Sequence, residues 1–269
     1  MVQNYFIEDI GKENNYAIEL QGVKKYFFDK EENVIQVIQD ITLNIKEKEF
    51  ISIVGPSGCG KTTMFNIIAG LLEPSEGTVK VHGKSISSST GHVGYMMQKD
   101  LLFPWRTILD NVSLGLEIKG VPKKEREEIA RHYLNKYGLG DFEKAYPSTL
   151  SGGMRQRVAL IRTLAIDPDI ILLDEPFSAL DYQTRLVLEE EILEILKEFG
   201  KTVVLITHDI GEAITMSDRI AVMTQRPTRV KKLYEVGLAK KLGSVMKARG
   251  DHRYNEFFEK VWSDLDIQI

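Results

Sequence analysis

Cysteine is nearly missing from this chain: one residue, Cys59, in 269. No intrachain disulfide can form, which excludes a disulfide-stapled fold and fits a reducing compartment. No apolar run approaches the roughly 18 residues that a membrane-spanning helix needs. If the chain works at a membrane, another protein must hold it there. The opening MVQNYFIEDIGKENN has neither a basic n-region nor an apolar h-region, so it does not read as a secretory signal. The closing DIQI has no cysteine for prenylation. The expected compartment is the cytosol. A surplus of positive charge is also lacking. Lys and Arg number 35 against 39 Asp and Glu, a net of −4, so a generally basic nucleic-acid binder is excluded. There is no internal repeat, low-complexity tract or long Pro/Gly/Ser linker. One domain with an insertion is expected rather than two.

What is present is an ordinary globular composition, 43% hydrophobic and 28% charged, in a chain long enough to bury a core. Residues 1–16 read as a polar lead-in. From Ala17 to Glu47, β-branched residues alternate with polar ones, giving two or three strands around a loop at 28–33. Phe50–Val54 reads as a buried strand and Lys61–Leu72 as the helix behind it. Further strands are predicted at Thr78–Val81, His92–Met97, Ile170–Leu173, Thr202–Ile206 and Arg219–Thr224. Helical spacing covers 107–118, 122–138, a stretch from about Gly152, 182–199 and 209–216, with Pro122 at a helix start. Alternating strands and helices imply a mainly parallel sheet with helices on both faces. Residues 226–253 hold nine Lys or Arg, dispersed as on a solvated surface. Asp251–Leu265 reads as an amphipathic helix with Tyr254, Phe257, Phe258, Val261, Trp262 and Leu265 inward.

Gly55-Pro56-Ser57-Gly58-Cys59-Gly60-Lys61-Thr62 matches G-x-x-x-x-G-K-[ST]. The pattern arises by chance in a chain of this length about once in a hundred, and its place between a strand and a helix makes chance rarer still. Glycines let successive N–H groups converge on an anion, and the helix end adds positive potential. Lys61 can reach the β- and γ-phosphates, the Thr62 hydroxyl can bind magnesium, and Thr63 follows in the same first turn. Cys59 is either a thiol activated by the helix end or a small residue that fits. The apolar strand Ile170–Leu173 then ends in two carboxylates. Asp174 is placed to hold magnesium through water, and Glu175 to orient or deprotonate an attacking water.

Leu150-Ser151-Gly152-Gly153-Met154-Arg155-Gln156-Arg157 opens a second helix with serine and two glycines. That makes a second anion-binding helix end in one chain. One nucleotide does not need both from one subunit. Two subunits head to tail, each lending this end to the other's γ-phosphate, would use both.

With these motifs in this order, the chain resembles the ATPase subunits of ABC transporters from about Ala17 to Thr224. The resemblance implies a P-loop NTPase α/β fold: a mainly parallel core, an N-terminal antiparallel β subdomain, and an inserted α-helical subdomain at about 99–162. Residues 225–269 would be a short C-terminal extension. It implies ATP and Mg2+ as cofactors and a homodimer with two ATP at its interface. Gln98 would touch magnesium and water, Asp181 of Ser178–Asp181 would lie at the dimer interface, and His208 would contact the γ-phosphate. Tyr26 resembles the aromatic that stacks on adenine, although Phe27 and Phe28 adjoin it. Met154 stands where glutamine is common. A finer resemblance, carried by Met96–Arg106 and Asp181–Glu191, is to the nitrate, sulfonate/taurine and bicarbonate importer branch. Members of that branch pair this subunit with an integral membrane permease and an extracytoplasmic solute-binding protein. The groove from Gln98 to Arg106, with Phe103, Pro104 and Trp105, would dock the permease at the cytoplasmic face of the membrane.

Other classes fit less well. Mechanical ATPases of DNA repair or chromosome organisation need a long coiled coil between phosphate loop and signature, and only about 90 residues separate Lys61 from Ser151, with no heptad array. A regulatory nucleotide-binding module would not need both Glu175 and His208. An exporter subunit is the nearest rival within the family.

Overall fold

The computed structural model describes residues 15–86, 93–178 and 180–265. Most of the predicted lead-in, His92 of the predicted strand, and Ala179 lie outside the described residues. Two long strands, β1 (Tyr16–Phe28) and β2 (Val34–Lys46), pair antiparallel. A hairpin of β4 (Glu76–Val81) and β5 (Lys84–Ser85) extends the outer edge of β1. The short β5 carries no alternation that a sequence pattern could reveal.

The core of the sheet is parallel. It comprises β3 (Phe50–Val54), β6 (Val93–Met96), β7 (Ile170–Asp174), β8 (Thr202–Thr207) and β9 (Arg219–Met223). β10 (Thr228–Glu235) joins this core to β2, so the sheet reads β5-β4-β1-β2-β10-β9-β3-β8-β7-β6. Every residue of β3, β7 and β8 is buried, as expected of strands covered on both faces. Their alternate residues feed opposite layers. Ile171, Leu173, Val203 and Leu205 join the core on one face. Ile170, Leu172, Val204 and Ile206 join the other.

On that second face lies α1 (Lys61–Ile68), shorter than the periodicity suggests. It stops because Gly70 takes a left-handed turn, φ 70°. Phe65 of α1 is fully buried and meets Tyr95 edge-on at 5.9 Å. On the first face, α2 (Ile108–Ile118), α3 (Lys123–Lys136) and α4 (Gly152–Ala165) stand between β6 and β7 in sequence. They share one continuous apolar cluster with β7, β8 and α5 (Tyr182–Phe199). Buried Asn111 pins the turn into α2 through the Phe103, Arg106 and Thr107 carbonyls. Among the described residues no helix is long and apolar enough to cross a membrane.

A third cluster forms where α6 (Ile210–Met216) meets the C-terminal helices α7 (Leu238–Leu242), α8 (Val245–Arg249) and α9 (His252–Asp264). Val261 and Leu265 are buried there, and Tyr254, Phe257 and Phe258 pack against them. Trp262 departs from the expected inward set. It is 46% exposed and stacks on Phe258 from outside, centroids 6.1 Å apart. Position 262 is one residue past Val261, at the edge of the apolar stripe. Arg249 departs from the solvated-surface reading of 226–253: its guanidinium is largely buried against Glu189, which is wholly buried.

Burial sets the stability contrast. Phe65→Ala removes a buried ring and its partner contact and should cost about 3–5 kcal/mol in denaturant unfolding. Trp262→Ala should cost about 1 kcal/mol or less. A reversed ranking would contradict this packing.

Candidate functional site

The parallel register places the carboxyl ends of β3, β6, β7 and β8 at one edge, where ligands bind in open α/β sheets. The loop after β3 must curl tightly to open α1. Gly60, the residue before α1, has φ 119°, and a Cβ there would meet Val37 Cγ1 at 2.9 Å. Gly58 is also left-handed, with φ 71°. Lys61, 7% exposed, donates from Nζ to the Gly55 and Pro56 carbonyls at 2.8 and 2.9 Å. Its charge is thus held inside the loop. Cys59 is buried, with Sγ 4.0 Å from Lys61 Nζ. This favours the plain packing reading.

Thr62 donates from Oγ1 to Asp174 Oδ2 at 3.1 Å, across 112 residues of chain. The Tyr95 hydroxyl reaches the same oxygen at 3.4 Å. Burial pushes the Asp174 carboxyl up, and the Thr62 and Tyr95 bonds and the nearby Lys61 charge oppose that push. Among the described residues its hydrogen-bond partners are the Thr62 and Tyr95 hydroxyls. A carboxylate beside a hydroxyl, at the mouth of a phosphate-binding loop, is a donor set of hard oxygens that fits Mg2+.

Glu175 follows Asp174 in a left-handed conformation, φ 47°. Its N–H donates to the Ile206 carbonyl at 2.9 Å, which holds it beside the end of β8. Gln98 Nε2 donates to Glu175 Oε2 at 3.0 Å, and His208 Nδ1 lies 3.4 Å from the same oxygen. The structure therefore brings together Lys61, Thr62, Gln98, Asp174, Glu175 and His208. These come from four strand ends and were read separately in the sequence.

Ser151 and its glycines stand apart. Ser151 caps α4, accepting from Met154 N at 3.3 Å, and is exposed with Gly152. Met154 packs inward against the main apolar cluster. Gly153 leaves room for α5: a Cβ there would lie 3.0 Å from Thr184 Cγ2. Asp181 is exposed and caps α5 through Thr184 N at 3.0 Å. The Thr184 side chain first, and then this N–H bond, hold its carboxyl below the ordinary value.

Two findings escaped the sequence reading. First, α4 grips the segment after Gln98. Arg155 Nε bonds Asp100 at 3.0 Å, and Arg162 donates to the Asp100 and Leu101 carbonyls. Second, the Tyr26 hydroxyl is directed to Glu76 Oε1 at 3.1 Å, at the β4 edge. Phe27 instead pairs with Ile35, which sits two residues before Val37 on β2, the residue that abuts Gly60. The pairing shifts register between Lys25 and Tyr26, opposite Val37, and Phe27 is 38% exposed.

Behind His208, Glu212 is nearly fully buried and accepts from Thr207 Oγ1 at 2.5 Å. Burial pushes its carboxyl up to about 8, with Asp209 and Glu189 adding to the shift and Arg185 opposing it. A raised carboxyl binds its proton in the folded chain at pH values where the unfolded chain has lost it. Stability then falls as pH rises from the unfolded value towards about 8, by about 1.4 kcal/mol per pH unit at most. Glu212→Gln should flatten that slope in denaturant melts between about pH 5 and 7.5. An unchanged slope would place the titration elsewhere.

Comparison with known proteins agrees with this geometry. The ABC transporter family profile matches residues 38–178. An uncharacterized ABC transporter ATP-binding protein of Bacillus subtilis (strain 168) is 46% identical over 90% of this chain and 92% of its own length. The taurine import ATP-binding protein TauB of Roseobacter denitrificans is 43% identical over 87% of this chain and 90% of its own. Among solved structures, a dimeric ATP-binding cassette in a post-hydrolysis state, bound to ADP and Pi, superposes with a TM-score of 0.72 at 36% identity. It covers 81% of this chain and 98% of the other.

Proposed function

The chain belongs to the ABC transporter ATPases, and on that premise we propose that it powers a membrane importer for a small anion such as taurine, another sulfonate, nitrate or bicarbonate. The observation that carries the ATPase reading is the convergence of Lys61, Thr62, Gln98, Asp174, Glu175 and His208 on one sheet edge. The importer reading rests on its similarity to taurine import ATP-binding proteins.

The phosphate loop from Gly55 to Thr63 holds the ATP phosphates through its backbone N–H groups and Lys61. Thr62, Gln98 and, through water, Asp174 would hold Mg2+, which supplies neutralisation of phosphate charge. Glu175 takes the proton of the attacking water. Gln98 and His208, both on Glu175 Oε2, fix the direction of that carboxylate, and His208 also faces the γ-phosphate. Ser151, Gly152 and Gly153 cap the ATP of a second copy, and Asp181 lies at the same interface. The exposure of Ser151, Gly152 and Asp181 suits a head-to-tail homodimer with two ATP at its interface. Tyr26 is the adenine platform. Closure of the dimer drives permease subunits served by an extracytoplasmic solute-binding protein, and the chain sits at the cytoplasmic face through them. No nucleic acid takes part. Trp105, 71% exposed and stacked on Phe103 at 5.2 Å, is the docking anchor beside Gln98.

Glu175→Gln should lower ATP turnover 10²–10⁴-fold and accumulate an ATP-dependent dimer on gel filtration. Undiminished turnover would remove Glu175 from the chemistry. In detergent-extracted source membranes the wild-type chain should capture one multi-span protein, and Trp105→Ala should lose it. Capture of soluble partners alone would sink the transport reading.

Tyr26→Ala should weaken ATP binding about tenfold or more, the range of a lost base–aromatic stack. Tyr26→Phe should leave affinity within about twofold, since it keeps the ring. Equilibrium titration with a fluorescent ATP analogue checks both, and unchanged affinity in Tyr26→Ala would move the platform to another aromatic.

A further inference from the structure

Arg185 lies on the first turn of α5, with its guanidinium between two loops. Nη2 donates to the Leu180 carbonyl at 3.3 Å, just before Asp181. Nη1 donates to Asp209 Oδ2 at 3.0 Å, and lies 3.7 Å from Glu212 Oε1. Asp209 directly follows His208. Its other carboxyl oxygen caps α6, accepting from Gly211 N and Glu212 N at 2.7 and 3.2 Å. One planar cation thus spans the loop leading to Asp181 and the loop carrying His208.

The surroundings hold Arg185 in this place. One turn along α5, buried Glu189 receives Arg249 Nη2 of α8 at 2.9 Å. Glu190 accepts from Ser244 Oγ and from the Val245 and Met246 N–H groups, so α8 is fastened to α5. Gly211 at the start of α6 leaves no room behind it. A Cβ there would lie 2.8 Å from the Tyr254 hydroxyl and 3.0 Å from Arg249 Nη1. The C-terminal helices therefore close a wedge between α5 and α6, with Arg185 at its inner end. Lysine could supply the charge but not the planar fork.

We propose that Arg185 is a positioning residue that sets the spacing between the Leu180–Asp181 loop and the His208 loop, so that both reach their working places together. The inference rests on the ATPase reading above. Arg185 touches neither the phosphate loop nor the Thr62–Asp174 pair, so it should govern turnover and not nucleotide affinity.

The test is steady-state ATP hydrolysis by the purified full chain with Mg2+, alongside thermal melting. Arg185→Lys should lower kcat about ten- to a hundredfold, the scale of a small misplacement of catalytic groups, with KM for ATP and the melting temperature near wild type. If Arg185→Met unfolds the chain, the double variant Arg185→Met/Glu212→Gln removes both buried partners. It should recover the melting temperature but not kcat. An unchanged kcat in Arg185→Lys would overturn the inference alone. So would kcat recovering together with the melting temperature in the double variant. A wild-type chain that hydrolyses no ATP would overturn the functional reading itself.

Discussion

The Glu175 N–H donates to the Ile206 carbonyl at 2.9 Å, just past the ladder that joins β7 to β8. That bond keeps the chain in register for one residue after the strand has turned left-handed at φ 47°. It places the carboxylate of Glu175 beside His208, which follows Thr207 at the end of β8. On the other side β6 pairs parallel with β7, and its continuation delivers Gln98 to the same oxygen. β3, parallel to β8, delivers the phosphate loop. Each reacting group is thus placed by where a parallel strand stops. A slip of one residue between β7 and β8 would turn every side chain of one strand to the other face. Full burial of both strands on both faces specifies the register.

The electrostatics follow from the same placement. Asp174 ends a buried strand, so its carboxyl is raised, and it accepts from the Thr62 and Tyr95 hydroxyls. Lys61 stays within its own loop, bonded to carbonyls, and its charge opposes the rise at Asp174. Deeper in the fold, Glu189 and Glu212 are buried acids raised by desolvation. Arg249 meets Glu189 at 2.9 Å and Arg185 lies 3.7 Å from Glu212, and removing either arginine leaves a buried acid without that partner. These arginines therefore act on geometry as well as charge: they bind the C-terminal helices to the elements behind His208.

The signature end of α4 belongs to the same mechanical unit as Gln98. Arg155 and Arg162 hold Asp100 and Leu101, and Gln156 Nε2 donates to the Gln98 carbonyl at 3.4 Å. The segment that runs on to Trp105 is thus bonded to the helix that Ser151 caps.

The residues proposed to do the chemistry were legible in the sequence because each motif's geometry is local. An eight-residue loop between strand and helix, a serine and two glycines opening a helix, and an apolar strand ending in Asp174 and Glu175 specify their own backbone. The order of strands and helices was legible for the same reason, since periodicity reports burial one element at a time. What only the tertiary structure decided depends on register between distant segments. The Tyr26 hydroxyl meets Glu76 of β4, a partner fifty residues away that no local pattern names. Trp262 lies outward, at the margin of a stripe whose middle is Val261. Arg249 reads in sequence as one of the dispersed cations of 226–253, and nothing local names a partner for Arg185; both are buried links because α8 closes on α5 and α6. Local pattern can name a side chain's type and helix face, but the partner on the opposite element exists only after the long-range packing is complete.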